Sequence, residues 1–277
     1  MPEVQSAREP LRVLGCTAQH PGDRAEQQDR VALLTSRAAP DCALAVLADG
    51  VGGHSGGALA AQCAIDVSRR RFDRYRPGHD DPRAFFAGLV ADVNASLRLG
   101  AGATGLQPHT TFAGVLVQRG RVDWCHVGDS RVYHFRRGAL AHVTVDQTVE
   151  LAADPGVATR ARRLTTVLGV RDAPPPVLGG IDDPGDTDRF LLCSDGLWNH
   201  LAVHEIGAAV AAVDPRRASA AMIATARART RGDGDNCSLL LLQLSAQPAV
   251  ARADPARVRA HAPAPAAPGF AAARRAA

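Results

Sequence analysis

The chain has 277 residues, of which 46% are hydrophobic and 22% are charged. This length suits one large domain or two small ones, and the apolar content excludes a chain that is disordered throughout. No apolar run approaches the roughly 20 residues that a membrane-spanning helix requires. Residues 1–6 lack the basic and apolar regions of a secretory signal, so a cytoplasmic protein with no membrane partner is expected.

All 32 basic residues are arginine, and the formal net charge is +4. Guanidinium groups match phosphate oxygens, so such a chain is compatible with phosphate or nucleic-acid recognition. Alanine is also very abundant, and no nucleic-acid-binding motif accompanies the arginines, so a compositional bias is favoured and no nucleic-acid partner is expected. The six cysteines form no C-x-x-C pair, which argues against a zinc ribbon or a disulfide framework and favours a reducing compartment.

Short apolar runs and stretches of helical periodicity alternate with turn signals along the chain. After a polar start at residues 1–10, the pattern predicts, in order, a strand at 42–48, helices at 57–72 and 82–99, a hairpin at 112–127, a second hairpin at 131–143, a strand at 190–193, helices at 203–213 and 215–229, and a strand at 237–244. Because neighbouring strands form hairpins, an antiparallel α+β layered fold is predicted.

The two ends of the chain differ in composition. Residues 11–245 supply all the predicted elements and are expected to form one domain. Residues 246–277 are rich in alanine, proline and arginine and cannot bury a core, so a disordered tail is predicted there.

Aspartates stand at the ends of several predicted strands. Asp49 precedes Gly50, Asp195 and Asp235 adjoin strands in the same way, and Asp129 follows the strand of the first hairpin. Carboxylates at strand ends can converge at one rim of a sheet, and a neighbouring glycine lets a backbone carbonyl approach a cation. Sites made of oxygen ligands suit Mg²⁺ or Mn²⁺, so a metal centre is one interpretation. An ordinary turn is the alternative for each aspartate taken alone.

The segments around these aspartates resemble those of metal-dependent protein serine/threonine phosphatases of the PPM (PP2C) family, in its compact bacterial form. Seven matching segments occur in the family's order over about residues 15–245. They are residues 24–29 (RAEQQD), 47–54 (LADGVGGH), 110–111 (TT), 126–133 (HVGDSRVY), 164–169 (LTTVLG), 192–198 (LCSDGLW) and 234–236 (GDN). The resemblance implies an α+β fold, a four-layer α/β/β/α sandwich of two antiparallel β-sheets flanked by helices.

The resemblance also implies a centre that binds two Mn²⁺ or Mg²⁺ ions. Asp49 resembles the carboxylate that bridges both metals, and the Gly50 carbonyl resembles a further ligand. Asp195 and Asp235 resemble the other carboxylates of the binuclear site. Asp129 lies in a segment that resembles the one supplying a ligand to a third, weaker metal in bacterial members.

Two more residues resemble groups that surround the metals. Arg24 resembles the arginine that binds the substrate phosphate, and Asp29 resembles the acidic residue that holds metal-bound water. The chain also departs from the family's pattern. Gln28 is neutral, which predicts a lower metal affinity, and Val51 occupies the position of a general acid found in some relatives. His54 is therefore a candidate general acid, with a structural role as the alternative.

A further departure concerns the segment between residues 149 and 163, which is shorter than the family's usual flap beside the active site. It ends in a basic stretch at residues 160–163. Those arginines either face solvent or steer acidic phosphopeptides toward the site.

The function implied by the resemblance is hydrolysis of phosphoserine and phosphothreonine in proteins by a metal-activated water, with no covalent phosphoenzyme. The implied partners are phosphorylated proteins and a Ser/Thr protein kinase, and a monomer is expected. One alternative is a non-catalytic pseudophosphatase that binds a kinase or a phosphoprotein, which Gln28 and the short flap support.

A second alternative is a cysteine-dependent phosphatase. Residues 125–131 fit the pattern C-x-x-G-x-x-R, in which the Cys125 thiolate would attack phosphorus while Arg131 holds its oxygens. Such a loop should open a helix, whose N-terminus binds the anion. The residues after Arg131 instead favour a strand, and Asp129 would repel phosphate, so this alternative is the least favoured.

Overall fold

A computed structural model of the chain describes residues 11–36, 39–51, 56–151 and 162–246. The strands are β1 (Leu11–His20), β2 (Arg30–Thr35), β3 (Ala43–Ala48), β4 (Gly50–Val51), β5 (His109–Thr110), β6 (Phe112–Gln118), β7 (Arg121–Val127), β8 (Arg131–Arg136), β9 (Ala139–Val143), β10 (Thr148–Glu150), β11 (Arg162–Leu164), β12 (Val177–Asp182), β13 (Asp188–Cys193) and β14 (Cys237–Ala246). The helices are α1 (Gly57–Phe72), α2 (Pro82–Thr104), α3 (Asp195–Trp198), α4 (Val203–Val210) and α5 (Pro215–Arg229).

The long strands form two five-stranded antiparallel sheets. One has the order β1-β14-β13-β8-β9, and the other has the order β12-β7-β6-β3-β2. Two further sheets have two strands each: β4 pairs with β5, and β10 pairs with β11. Helices α1 and α2 pack on the sheet that contains β3. Helices α3, α4 and α5 pack on the other sheet, which contains β14.

Three hydrophobic layers separate the sheets and helices. In β3, Leu44 and Val46 pack toward α1 and α2, whereas Ala45 and Leu47 face the other sheet. In β14 the same alternation divides Leu239 and Leu241, on the helix side, from Leu240, Leu242 and Leu244, on the sheet side. Both faces of these strands are buried, which explains why their sequences are continuous apolar runs. The result is the predicted four-layer α/β/β/α arrangement.

Local signals at the helix ends explain where α2 and α5 begin. Asp81 accepts a hydrogen bond from the Arg83 N–H, and Asp214 caps α5 in the same way, each directly before a proline. The helix predicted at 82–99 continues to Thr104 and ends at Gly105, whose φ of +70° suits a C-terminal cap.

The helix predicted at 203–213 is shorter than expected. It ends at Val210, and Val213 is almost fully exposed just before the Asp214 cap of the next helix. An apolar side chain at position 213 therefore extended the helical pattern without contributing to a buried face.

Strands β1, β2, β4, β5, β10, β11 and β12 and the short helix α3 are additional to the predicted elements. No described helix combines the length and the apolar character needed to cross a membrane. The first residue of the predicted tail, Ala246, is the last residue of β14, and residues 247–277 lie outside the described residues.

Candidate metal centre

A cavity of about 600 Å³ opens where β3, β13 and the turn between β7 and β8 end and where β14 begins. Because these antiparallel strands bring their ends to the same rim, five candidate phosphate-binding or metal-binding side chains meet there with Gly50, namely Arg24, Asp49, Asp129, Asp195 and Asp235. The residues lining the cavity are Arg24, Ala25, Glu26, Gln28, Asp49, Gly50, Val51, Asp129, Arg162, Leu164, Asp195, Asp235 and Asn236.

Asp49 directly follows β3, and two threonines fix its backbone. Its carbonyl oxygen accepts hydrogen bonds from the Thr111 N–H and from Thr110 Oγ1, both over 2.9 Å. Its own N–H donates to Thr111 Oγ1 over 3.1 Å. Gly50 then passes so close to the start of α1 that an added Cβ would lie 2.2 Å from the Gly57 carbonyl oxygen. The Asp49-Gly50 pair is therefore held rigidly at the rim of the cavity.

Asp195 is the first residue of α3, and Asp235 lies in the loop before β14. Gly196 lets these two segments approach, since a Cβ there would lie 2.1 Å from the Asn236 carbonyl oxygen. Helix α3 also fixes the backbone of Asp129, because Trp198 Nε1 donates a hydrogen bond to the Asp129 carbonyl oxygen over 3.0 Å.

Asp29 lies just behind the cavity and is 1% exposed. Ser194 Oγ donates a hydrogen bond to its Oδ2 over 2.8 Å, whereas its Oδ1 is buried and has no hydrogen-bond partner in the described part of the chain. Burial raises the pKa of Asp29 to about 6, the nearby Ser238 and Ser194 side chains oppose that increase, and the charge of Asp235 adds to it. A buried acceptor without a donor is a position at which a water molecule can be held.

The carboxyl groups of the cavity repel one another. Burial raises the pKa of Asp195 to about 7, with the charge of Asp129 as the next cause. Burial, followed by the charges of Asp29 and Asp195, raises the pKa of Asp49 well above its usual range. Bound cations would favour the ionised forms of all these groups, so the electrostatics of the cavity fit a divalent metal centre.

The donor set also fits such a centre, since it consists of carboxylates and a backbone carbonyl, which hard divalent cations prefer. Within the ranges that the structure describes, no three His, Cys, Asp or Glu side chains are gathered closely enough to form a metal-ligand cluster by themselves. Cations at this site would therefore complete their coordination with water or with phosphate oxygens.

Arg24 lies at the open side of the cavity, with 60% of its side chain exposed. Its Nη2 donates a hydrogen bond to Asp235 Oδ2 over 2.9 Å. The residue predicted to bind phosphate is therefore paired with a residue predicted to bind metal. Gln28, the neutral residue that predicts a lower metal affinity, also lines the cavity. Its Nε2 lies 3.4 Å from Glu26 Oε2.

Some residues of the site escaped the sequence-based prediction. Asn236 joins two loops, because its Oδ1 accepts from the Gln28 N–H over 2.6 Å and its Nδ2 donates to the carbonyls of Pro21 and Glu26. Ser194 and Asn236 each lie next to a predicted aspartate, Asp195 and Asp235. That adjacency is the sequence signal by which they could have been identified. Arg162 gave a weaker signal, as one member of a basic stretch.

The flap region is only partly described. Strands β10 and β11 pair on either side of it, and residues 152–161 lie outside the described residues. Arg162 Nη2 lies 3.0 Å from Asp146 Oδ2, and its guanidinium stands 5.5 Å from the Trp198 ring centroid. His54, the candidate general acid, also lies outside the described residues.

The structure argues against the cysteine-dependent alternative. Cys125 lies within β7 and is completely buried in the layer between this sheet and helices α1 and α2. Burial raises the pKa of its thiol far above the usual range. Arg131 is held by two hydrogen bonds to Asp146, at 2.7 and 2.8 Å, and lies over the Trp198 ring. A buried, protonated thiol cannot act as the nucleophile.

Residues 16–231 match the family model of protein phosphatase 2C, and the chain belongs to that family. The serine/threonine protein phosphatase PstP of Mycobacterium tuberculosis is 32% identical over 173 residues, which cover 56% of this chain and 31% of PstP. The chain thus spans about a third of the length of that relative. The protein phosphatase PhpP of Streptococcus pneumoniae is 27% identical over 195 residues, covering 66% of this chain and 78% of PhpP.

The fold comparison agrees with the family assignment. The crystal structure of the PstP catalytic domain in complex with two manganese ions has a TM-score of 0.70 and 26% identity to this chain. The match covers 85% of this chain and 99% of that domain. The predicted α+β sandwich is therefore confirmed.

Proposed function

We propose that this chain hydrolyses phosphoserine and phosphothreonine monoesters in proteins and that it requires two Mn²⁺ or Mg²⁺ ions. The observation that carries the proposal is the convergence of Asp49, Asp195 and Asp235 with Arg24 on one cavity. The names of the relatives PstP and PhpP support the reaction class, and the manganese complex of the PstP domain supports the metal requirement.

The residues that would hold the two metals are Asp49, Asp195 and Asp235, with the Gly50 carbonyl as a further ligand. Asp129 is the proposed ligand of a third, weaker metal. When bound, the two ions supply an activated water for attack on phosphorus and neutralise negative charge on the phosphate. Their fit rests on the oxygen donor set and on the mutual repulsion of the buried carboxyl groups.

The surrounding residues bind and orient the reactants. Arg24 donates hydrogen bonds to the phosphate oxygens, for which its planar guanidinium is suited. Its Nη2 is paired with Asp235 Oδ2, and both side chains are exposed enough for this pair to separate when phosphate binds. Asp29 Oδ1 accepts a hydrogen bond from a water molecule at the inner wall of the cavity, the position for which its unpartnered oxygen is suited.

The cellular setting follows from the proposed reaction. A Ser/Thr kinase supplies the phosphorylated proteins, and the chain acts in the cytoplasm as the folded unit of residues 11–245. All six cysteines lie in the described residues, where each is a free thiol.

Titration of Mn²⁺ into the metal-free chain, with turnover of a phosphoserine peptide as the readout, tests this function. We expect saturable activation of the wild type, loss of activation in Asp235→Ala, and normal activation in Cys125→Ser. Tight binding of the phosphopeptide without turnover at any Mn²⁺ concentration would contradict the proposal and support the pseudophosphatase alternative.

A further inference from the structure

Two loops are joined directly beside the metal centre. The N–H of Asp23 donates to the Gly234 carbonyl over 2.8 Å, and the N–H of Gly234 donates back to Asp23 Oδ2 over 2.6 Å. Asp23 immediately precedes Arg24, and Gly234 immediately precedes Asp235. The neighbours of the proposed phosphate-binding and metal-binding residues are thus hydrogen-bonded in both directions.

An arginine of α5 anchors this junction. Arg227 Nη2 donates to Asp23 Oδ1 over 2.8 Å, and its Nη1 donates to Asp23 Oδ2 over 3.0 Å. The Arg227 hydrogen bonds and the Gly234 N–H lower the pKa of Asp23 to about 2, so the pair is ionised at neutral pH. Helix α5 itself is fixed by buried Met222 and Ile223. The pair therefore connects both loops to a rigid part of the core.

The junction leaves no room for a Cβ atom at Gly22 or at Gly234. Gly22 has a φ of +70°, and an added Cβ would lie 2.1 Å from the Asp235 carbonyl oxygen. A Cβ on Gly234 would lie 2.2 Å from Arg227 Nη1. Glycine at both positions is what allows the two loops and the guanidinium to meet this closely.

We propose that the Asp23–Arg227 ion pair is a positioning device that fixes the Arg24 loop against the Asp235 loop. It thereby sets the separation between the guanidinium that binds phosphate and the carboxylate that binds metal. The inference rests on the proposed function for what Arg24 and Asp235 bind. Among the described residues, neither Asp23 nor Arg227 lines the cavity, so the pair acts through its neighbours.

Whether Mn²⁺ binding becomes weaker or tighter in Arg227→Ala distinguishes a positioning role of Arg227 from a purely electrostatic one. Arg227→Ala removes a positive charge near the centre, so an effect of charge alone would tighten Mn²⁺ binding. Loss of positioning would weaken it, by about tenfold, as is common when residues that orient metal ligands are removed. Arg227→Lys keeps the charge without the planar fork, so an intermediate loss is expected.

The same helix provides a matched control. Arg229 forms a comparable pair with Glu205, with Nη2–Oε1 and Nη1–Oε2 distances of 2.6 and 2.8 Å, and joins α5 to α4. Arg229→Ala removes the same charge and a similar pair from α5. In this variant we expect a lower melting temperature with unchanged Mn²⁺ affinity and unchanged KM for the peptide.

The experiment measures Mn²⁺ affinity by calorimetry, and kcat and KM for a phosphoserine peptide at saturating Mn²⁺, for the full-length wild type and all three variants. Hydrogen exchange at the amides of Asp23 and Gly234 is measured in the metal-free chains. We expect Arg227→Ala to weaken Mn²⁺ binding about tenfold, to raise KM and to accelerate exchange at both amides. Arg227→Lys serves as the test variant if Arg227→Ala does not fold.

Unchanged or tighter Mn²⁺ binding in Arg227→Ala would overturn the inference, as would equal losses in Arg229→Ala and Arg227→Ala. If the wild type binds Mn²⁺ but does not turn over the peptide, the proposed function fails. The positioning role then still stands if Mn²⁺ affinity and amide exchange respond to Arg227→Ala as expected, and it fails if they do not.

Discussion

Arg24 Nη2 donates a hydrogen bond to Asp235 Oδ2 over 2.9 Å, across the open side of the candidate metal centre. The two side chains are 60% and 45% exposed, and an ion pair this exposed contributes only about 0–1 kcal/mol. A cation bound at Asp235, the proposed metal ligand, would compete with the guanidinium for this oxygen. Metal binding would therefore free Arg24 for the phosphate, which couples the two binding events.

This coupling makes a prediction for Arg24→Ala. The KM for a phosphoserine peptide should rise about tenfold or more, because a charged hydrogen-bond donor to phosphate is lost. Mn²⁺ affinity should be unchanged or higher, because Asp235 loses its competitor. Steady-state kinetics and calorimetry measure the two effects, with Arg217→Ala, an exposed arginine that does not line the cavity, as the control. Weaker Mn²⁺ binding in Arg24→Ala would contradict the competition.

The raised pKa of Asp195 predicts how pH affects the metal-free chain. Asp195 has a pKa of about 7 in the folded chain, against 3.8 as its ordinary value, so between these pH values the folded state retains a proton that the unfolded state has lost. Its contribution to stability is fully present below about pH 4 and disappears as the pH rises through 7.

We therefore expect the free energy of unfolding of the wild type, relative to Asp195→Asn, to fall by at least about 1 kcal/mol between pH 4 and pH 7. Taking the difference between the two proteins cancels the titration of the histidines. Denaturant unfolding in the presence of EDTA measures it. A difference that stays constant across this pH range would show that Asp195 titrates normally.

Ser194 is predicted to stabilise the fold through Asp29. Ser194→Ala removes the donor to Asp29 Oδ2 and should lower the free energy of unfolding by about 1–3 kcal/mol. Ser219 is an apt control, because it is equally buried and its hydroxyl has no hydrogen-bond partner among the described residues. Ser219→Ala should be neutral or slightly stabilising in the same denaturant assay. Equal losses in the two variants would refute the assigned role of the hydrogen bond.

Gly50 is predicted to be essential because no side chain fits at its position. In Gly50→Ala the new Cβ would lie 2.2 Å from the Gly57 carbonyl oxygen, so the backbone at Asp49 must shift. A loss of about 1–3 kcal/mol in stability and a strong loss of Mn²⁺ activation are expected. Gly100 in α2 has open space around its Cβ position, and Gly100→Ala should instead stabilise the helix by up to about 1 kcal/mol. Thermal melts of both variants check these opposite signs.

Features encoded over short stretches of sequence were predictable. The β8–β9 hairpin turns at Arg137 and Gly138, which have φ of 53° and 78°, and the first hairpin turns at Gly120 in the same way. The apolar run of β14 is buried on both faces and was visible as a run. The aspartates of the candidate site were visible because each adjoins a strand and a turn residue.

Features that depend on distant parts of the chain were not predictable. Strand β12 has two central glycines because Gly179 packs against Trp124 and Gly180 lies close to Asp123, so it lacks the usual apolar alternation of a strand. The ion pair between Asp23 and Arg227 joins residues 204 positions apart. No local pattern indicates such a partner, because only the assembled sheets bring the two loops together.

The most direct test of a metal-dependent phosphatase is hydrolysis of a phosphoserine peptide by the wild type and Asp49→Asn, each with EDTA and with saturating Mn²⁺. The account predicts turnover by the wild type with Mn²⁺, none with EDTA, and a loss of about 100-fold or more in Asp49→Asn, as expected when a metal ligand is removed. Turnover that survives both EDTA and Asp49→Asn would contradict it.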